Sequence, residues 1–112
     1  MTPAMKKIVF AAFAVLGGLH IASAQSVQRI EISKLSYSPA EVTIHLGDTI
    51  EWANNDPIAH TVTAKPSEPG GAWEVLIAPG KTAKYVPTLN GTISYYCRFH
   101  PNMKGSIIVL LR

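Results

Sequence analysis

Beyond residue 25 the apolar side chains recur at every second position in short runs, and almost every run is closed by glycine or proline. Ile30 and Ile32 alternate with polar neighbours and lead on to Leu35. Val42, Ile44 and Leu46 repeat the pattern, and Ile50 with Trp52 makes a third set. A period of two belongs to strands that bury one face and wet the other. His60, Val62 and Ala64 follow a proline-containing loop, while Trp73 to Ile77 and Lys81 to Tyr85 flank the turn Ala78-Pro79-Gly80. Thr92 to Cys97 and Ser106 to Leu110 close the chain, whereas Lys65 to Gly71, with Pro66, Pro69 and a glycine pair, is a break. No helical stripe competes with this alternation. The spacing predicts an all-β sandwich of seven or eight antiparallel strands.

The first 24 residues do not belong to that pattern. Lys6 and Lys7 precede an apolar run from Ile8 to Leu16, and Ala22-Ser23-Ala24 supplies a small-residue cleavage pattern, so residues 1–24 read as a secretory signal peptide, with Met5 as an alternative start. The run is shorter than the roughly 20 residues of a spanning helix, and no stable membrane association is expected. Residues 25–112 remain, enough for one small domain and too few for two. They carry eight Lys and Arg against seven Asp and Glu, a net charge of +1, so the pI of about 9.2 for the whole chain gives no case for nucleic acid. Cys97 is the single cysteine and has no disulfide partner within the chain. In an oxidising compartment a lone thiol needs protection, which metal ligation provides.

Cys97, His100 and Met103 lie at steps of three, and His60 stands 37 positions before the cysteine. Singly, each has an ordinary structural role: a small buried hydrophobe, a core filler, a satisfied histidine. Together they make a thiol, two imidazoles and a thioether. Cu(I) favours soft sulfur and Cu(II) favours nitrogen, so a mixed set serves both states. A trigonal His, His, Cys arrangement with a weak axial Met is the ligand set of electron-transfer copper sites. Zinc takes thioether poorly. His45, on the polar side of its alternating run and without a ligand-type neighbour, is expected at the surface. Of Tyr95 and Tyr96 one should be buried and the other not, Trp52 should be core, and Trp73 is left open.

Gly91 to Met103, GTISYYCRFHPNM, resembles the C-terminal metal loop of the small blue-copper proteins, the cupredoxins. The short Cys-x2-His-x2-Met form with proline after the histidine is most similar to the amicyanin branch, with plastocyanin and pseudoazurin as relatives. Asn54 to Val62 resembles the segment carrying the first histidine ligand, and Tyr37-Ser38-Pro39 and Leu46 to Trp52 also match family patterns. The resemblance implies a Greek-key cupredoxin-like sandwich, one copper per chain, and a monomeric periplasmic one-electron carrier. It implies redox-protein partners, a donor such as an amine dehydrogenase and an acceptor such as a c-type cytochrome. His60, Cys97, His100 and Met103 are the implied ligands. Asn54 or Asn55 would tie the ligand loops together and give a backbone N–H to the Cys97 sulfur.

His100 is the expected electron port, inside an apolar patch of Phe99, Pro101, Pro57 and Ile58, with Arg98, Lys104 and Lys65 either steering an acidic partner or merely solvated. The family pattern further implies protonation and release of this histidine in the reduced state. Phe99 stands where relatives with the short loop carry proline, so it brings an additional N–H, expected to bond the thiolate and raise the potential; the charge of Arg98 would act the same way. Two other classes compete. An exported copper chaperone or storage protein would use open, Met-rich or His-rich sites, and only Met103 is at hand. A copper enzyme would need further metal centres and more histidines than His45 supplies.

Overall fold

The computed structural model describes residues 25–112, and the signal-peptide reading of residues 1–24 lies outside them. Nine strands occur among the described residues: β1 (Val27–Ser33), β2 (Ser36–Ser38), β3 (Glu41–His45), β4 (Thr49–Asn54), β5 (His60–Ala64), β6 (Trp73–Ile77), β7 (Thr82–Tyr85), β8 (Gly91–Tyr96) and β9 (Lys104–Leu110). One sheet has the order β2-β1-β4-β7 and the other β3-β9-β8-β5-β6. The expected sandwich is present, with the three-residue β2 raising the strand number. Two pairings differ from the all-antiparallel expectation: β1 runs parallel to β4 and β3 parallel to β9. Alternation reports which face is buried and carries no information on neighbour direction, because each strand presents the same period either way.

Alternating residues from both sheets close on one core. Ile30 and Ile32 of β1 meet Ile50 and Trp52 of β4 from one side, and Val42, Ile44, Ile93, Tyr95, Ile107 and Val109 come from the other. Burying one such isoleucine fully contributes about 1.5–3 kcal/mol. Trp52 is wholly buried and donates its indole N–H to the Tyr95 hydroxyl at 3.3 Å, while Tyr96 is turned to the outer face. His45 is exposed, as its position in the alternation requires. Trp73 is half-buried and stacks on Tyr85 at 4.1 Å. Gly105 faces Tyr95 in the β8–β9 ladder, and a Cβ there would lie 2.4 Å from the tyrosine ring, so only glycine lets the ring lie across β9.

Leu35 does not extend the β1 alternation. With Lys34 it forms the two-residue turn between β1 and β2, at φ of 53° and 59°, and is exposed. A tight hairpin of this kind needs positive φ at both central residues, usually met by Asn-Gly. Lys34-Leu35 offers neither, and the compensation comes from Asp56, whose carboxylate accepts the Lys34 N–H at 2.6 Å and the Leu35 N–H at 3.0 Å. Among the described residues no helix is long and apolar enough to cross a membrane.

Candidate metal centre

β8 ends at Tyr96, so Cys97 lies at the first step of the loop to β9, while His60 opens the neighbouring strand β5. The His100 N–H donates to the Cys97 carbonyl at 3.2 Å and the Met103 N–H to the His100 carbonyl at 2.8 Å. Two successive four-residue turns, Cys97 to His100 and His100 to Met103, therefore underlie the two steps of three in the sequence. The Cys97 N–H donates to the Met103 carbonyl at 3.0 Å and closes the loop on itself.

This brings Cys97 Sγ to 3.7 Å from His60 Nδ1 and 3.8 Å from His100 Nδ1, and the three donor atoms lie within 4.8 Å of one another. Bonds of about 2.0 Å to nitrogen and about 2.3 Å to sulfur, opened to the ~120° of a trigonal plane, would separate N and S by about 3.7 Å; a tetrahedral angle would give about 3.5 Å. The two sulfur–nitrogen spacings lie in the range that bonds to one shared metal allow. His60 and Cys97 are fully buried, His100 is half-buried, and Met103 is buried with its side chain lining the same recess as His100.

Burial pushes the Cys97 thiol up, but the Thr61 N–H at 3.4 Å, the His100 and His60 rings and the Phe99 N–H outweigh it and bring the thiol down to about 6. A thiolate at neutral pH is what a metal needs. The ring of His60 is fixed from behind, with Nε2 at 2.8 Å from Asp56 Oδ2. Burial pushes Asp56 up, yet the Leu35 N–H, the His60 ring and the Lys34 N–H hold it below the usual carboxylate range. An ionised carboxylate only accepts, so Nε2 is the donor to Asp56 and the Nδ1 edge of the ring faces the sulfur. Asn54 fixes Asp56 in turn: its Oδ1 accepts the Asp56 N–H at 2.9 Å, while Nδ2 donates to the carbonyls of Ile58 at 2.9 Å and Ile77 at 3.0 Å.

Three expectations are corrected. The backbone N–H that reaches the sulfur belongs to Thr61, because the Asn54 and Asn55 N–H groups bond the carbonyls of Lys81 and Ile32. Asn55 is exposed and bonds Glu31, so Asn54 alone serves the histidine loop. Arg98 is not a bare cation: Nε and Nη2 grip the Glu74 carboxylate at 2.9 and 3.0 Å. Asp56 and Thr61 were both missed as supporting residues. An acid four residues before a candidate ligand was the available signal for Asp56, and nothing in a lone threonine marks Thr61. Around His100, Phe99 and Ile58 are exposed as expected, and Leu35 joins the recess beside Phe99.

Fold and donor set together define a β-sandwich whose His60, Cys97, His100 cluster fits a type 1 copper site. The chain belongs to the cupredoxin family, since the cupredoxin-like domain model matches residues 7–109. It is 29% identical over 109 residues to amicyanin-alpha of Methylorubrum extorquens, covering 88% of this chain and 91% of that protein. Amicyanin of Paracoccus versutus is 34% identical over 85 residues, which cover 71% of this chain and 62% of the relative. Plastocyanin of Scenedesmus fuscus is also 34% identical over 85 residues, covering 67% and 87%. Among solved structures, a reduced amicyanin with a Trp-to-Tyr substitution superposes with a TM-score of 0.71 at 26% identity, over 79% of this chain and 86% of the other. A Cu(I) amicyanin with a Met-to-Ala substitution gives 0.69 at 25% identity over the same shares.

Proposed function

We propose that this protein is a one-electron carrier of the periplasm, in which His60 Nδ1, Cys97 Sγ, His100 Nδ1 and Met103 would hold one copper. The observation that carries this is the buried thiol with two imidazole nitrogens at 3.7 and 3.8 Å, donated by two segments far apart in sequence. Copper bound there would supply a Cu(I)/Cu(II) couple. The chain's part is to keep the donors still. His60 is locked by Asp56, Cys97 receives the Thr61 N–H, and the loop is closed by its own backbone bonds, so little has to move between oxidation states.

His100 is the port for the electron, because it alone of the three joins the thiolate to the surface, beside exposed Phe99, Pro101 and Leu35. The partners are a donor and an acceptor redox protein, an amine dehydrogenase and a c-type cytochrome in the amicyanin-like case, with the carrier a monomer exported by residues 1–24 as a cleaved signal peptide. Lys65 and Lys104, which make no ion pair among the described residues, are the cations left to steer an acidic partner. Catalysis is not part of this reading. Copper delivery is less well supported, since a delivery site should open to its recipient and His60 and Cys97 are sealed.

The test is the visible spectrum of the oxidised, copper-loaded protein. An intense thiolate-to-copper charge-transfer band that disappears in Cys97→Ala is the expected result. A colourless complex would remove the electron-carrier reading.

A further inference from the structure

The residue after the thiol sits in a closed ring of hydrogen bonds. The Arg98 N–H donates to Thr61 Oγ1 at 2.7 Å, Thr61 Oγ1 lies 2.9 Å from Thr63 Oγ1, and Thr63 Oγ1 donates to Glu74 Oε1 at 2.7 Å. The Arg98 guanidinium closes the ring on the same carboxylate, with Nε to Oε1 and Nη2 to Oε2. Thr61 is also the residue whose backbone N–H reaches Cys97 Sγ. The hydrogen bonds from Arg98 and Thr63 hold the Glu74 carboxyl down at about 2, so it is ionised and can only accept. Thr63 must then spend its proton on Glu74, and Thr61 must spend its own on Thr63. That leaves Thr61 Oγ1 as an acceptor for the Arg98 N–H, so the threonine arm and the guanidinium arm both donate towards the Glu74 carboxylate. Hydrogen bonds linked in this way polarise and strengthen one another.

We infer that Glu74 is a positioning residue for the thiolate: through Thr63 and Thr61 it latches the Cys97–Arg98 backbone to β5 and β6, and through the guanidinium it cancels the charge beside the sulfur. The inference rests on the copper reading for its electrochemical part only. Glu74 stands on β6, outside the residues that contact the donor cluster, and the ring spans three neighbouring segments. With the pair intact, Arg98 contributes little net field at the site, although it is covalently next to Cys97. A conserved-shape change at either end therefore has a predictable sign.

The electrochemical arm compares Glu74→Gln, Arg98→Met and the double variant, all copper-loaded. Glu74→Gln leaves a bare cation, which favours the less positive Cu(I) state and raises the potential. Arg98→Met leaves a bare carboxylate and lowers it, and the double variant returns towards wild type. Shifts of the same sign, or none in either single variant, would overturn the charge cancellation. The second arm uses metal-free protein and reads hydrogen exchange at the Arg98 amide in Thr63→Val and Glu74→Gln, where exchange about fivefold to tenfold faster than wild type is expected. Unchanged exchange in both would overturn the latch. Should the wild type lack the blue band, the carrier reading fails while the exchange arm still decides the latch.

Discussion

His60 and His100 approach one sulfur at nearly equal distances, 3.7 and 3.8 Å, with their rings 5.2 Å apart, yet they are held in opposite ways. His60 opens a central strand, is fully buried, and has Asp56 behind it, itself anchored by Asn54 and by the Lys34 and Leu35 amides. His100 rides on a loop whose ordering comes from backbone turns, and its ring is half-exposed among Leu35, Phe99 and Pro101. A carrier needs both kinds of support. In the proposed function the buried side would resist rearrangement when the charge changes, and the open side would let an electron leave without unfolding anything.

The largest effect should come from removing the two rings. His60→Gly and His100→Gly should each abolish the intense visible band, and added imidazole should restore it readily in His100→Gly and poorly in His60→Gly, because only the His100 cavity opens to solvent. Equal rescue of both, followed by titration at the visible band, would erase the distinction between the sides.

Next in size is Asp56→Ala, which strips the support from His60 and leaves the Lys34 and Leu35 N–H groups of a strained turn without acceptors. Copper affinity should fall about 10–100-fold by competitive titration, and unfolding should be easier by about 1–3 kcal/mol. A variant with wild-type affinity would mean that packing alone orients the His60 ring.

A third outcome concerns the thiol both rings share. Its folded value of about 6 lies below the ordinary 9.0, so the unfolded chain holds that proton more tightly. The metal-free fold should therefore gain stability as pH rises from about 6 to 9, hold the gain above 9, and lose it below about 6. Denaturant midpoints across that range, set against Cys97→Ser, isolate the contribution; parallel curves would refute it.

The smallest effect sharpens the open side. The Phe99 N–H is among the groups that draw the thiol down, so Phe99→Pro should lower the potential by on the order of tens of millivolts, as expected for one weak hydrogen bond of ~1 kcal/mol that favours one oxidation state. Cyclic voltammetry reads this directly, and an unchanged or higher potential would exclude the bond.

Much of this molecule is written in local chemistry. Period-two alternation is a property of consecutive residues, so the sandwich, the burial of Ile30, Ile32, Ile50 and Trp52 and the exposure of His45 were legible. The three-residue steps from Cys97 to Met103 were legible for the same reason, being two turns closed within the loop. Partner choice across the sheets was not. Which strands run parallel, that Thr61 rather than Asn54 or Asn55 offers its N–H to sulfur, that Glu74 takes the charge of Arg98, and that Asp56 sustains a Lys34-Leu35 turn against its own preference all depend on groups at least 21 residues apart. A hydrogen bond needs two groups within about 3 Å and aligned. Sequence supplies the groups and their local period, and only the closed sandwich brings the distant ones into reach.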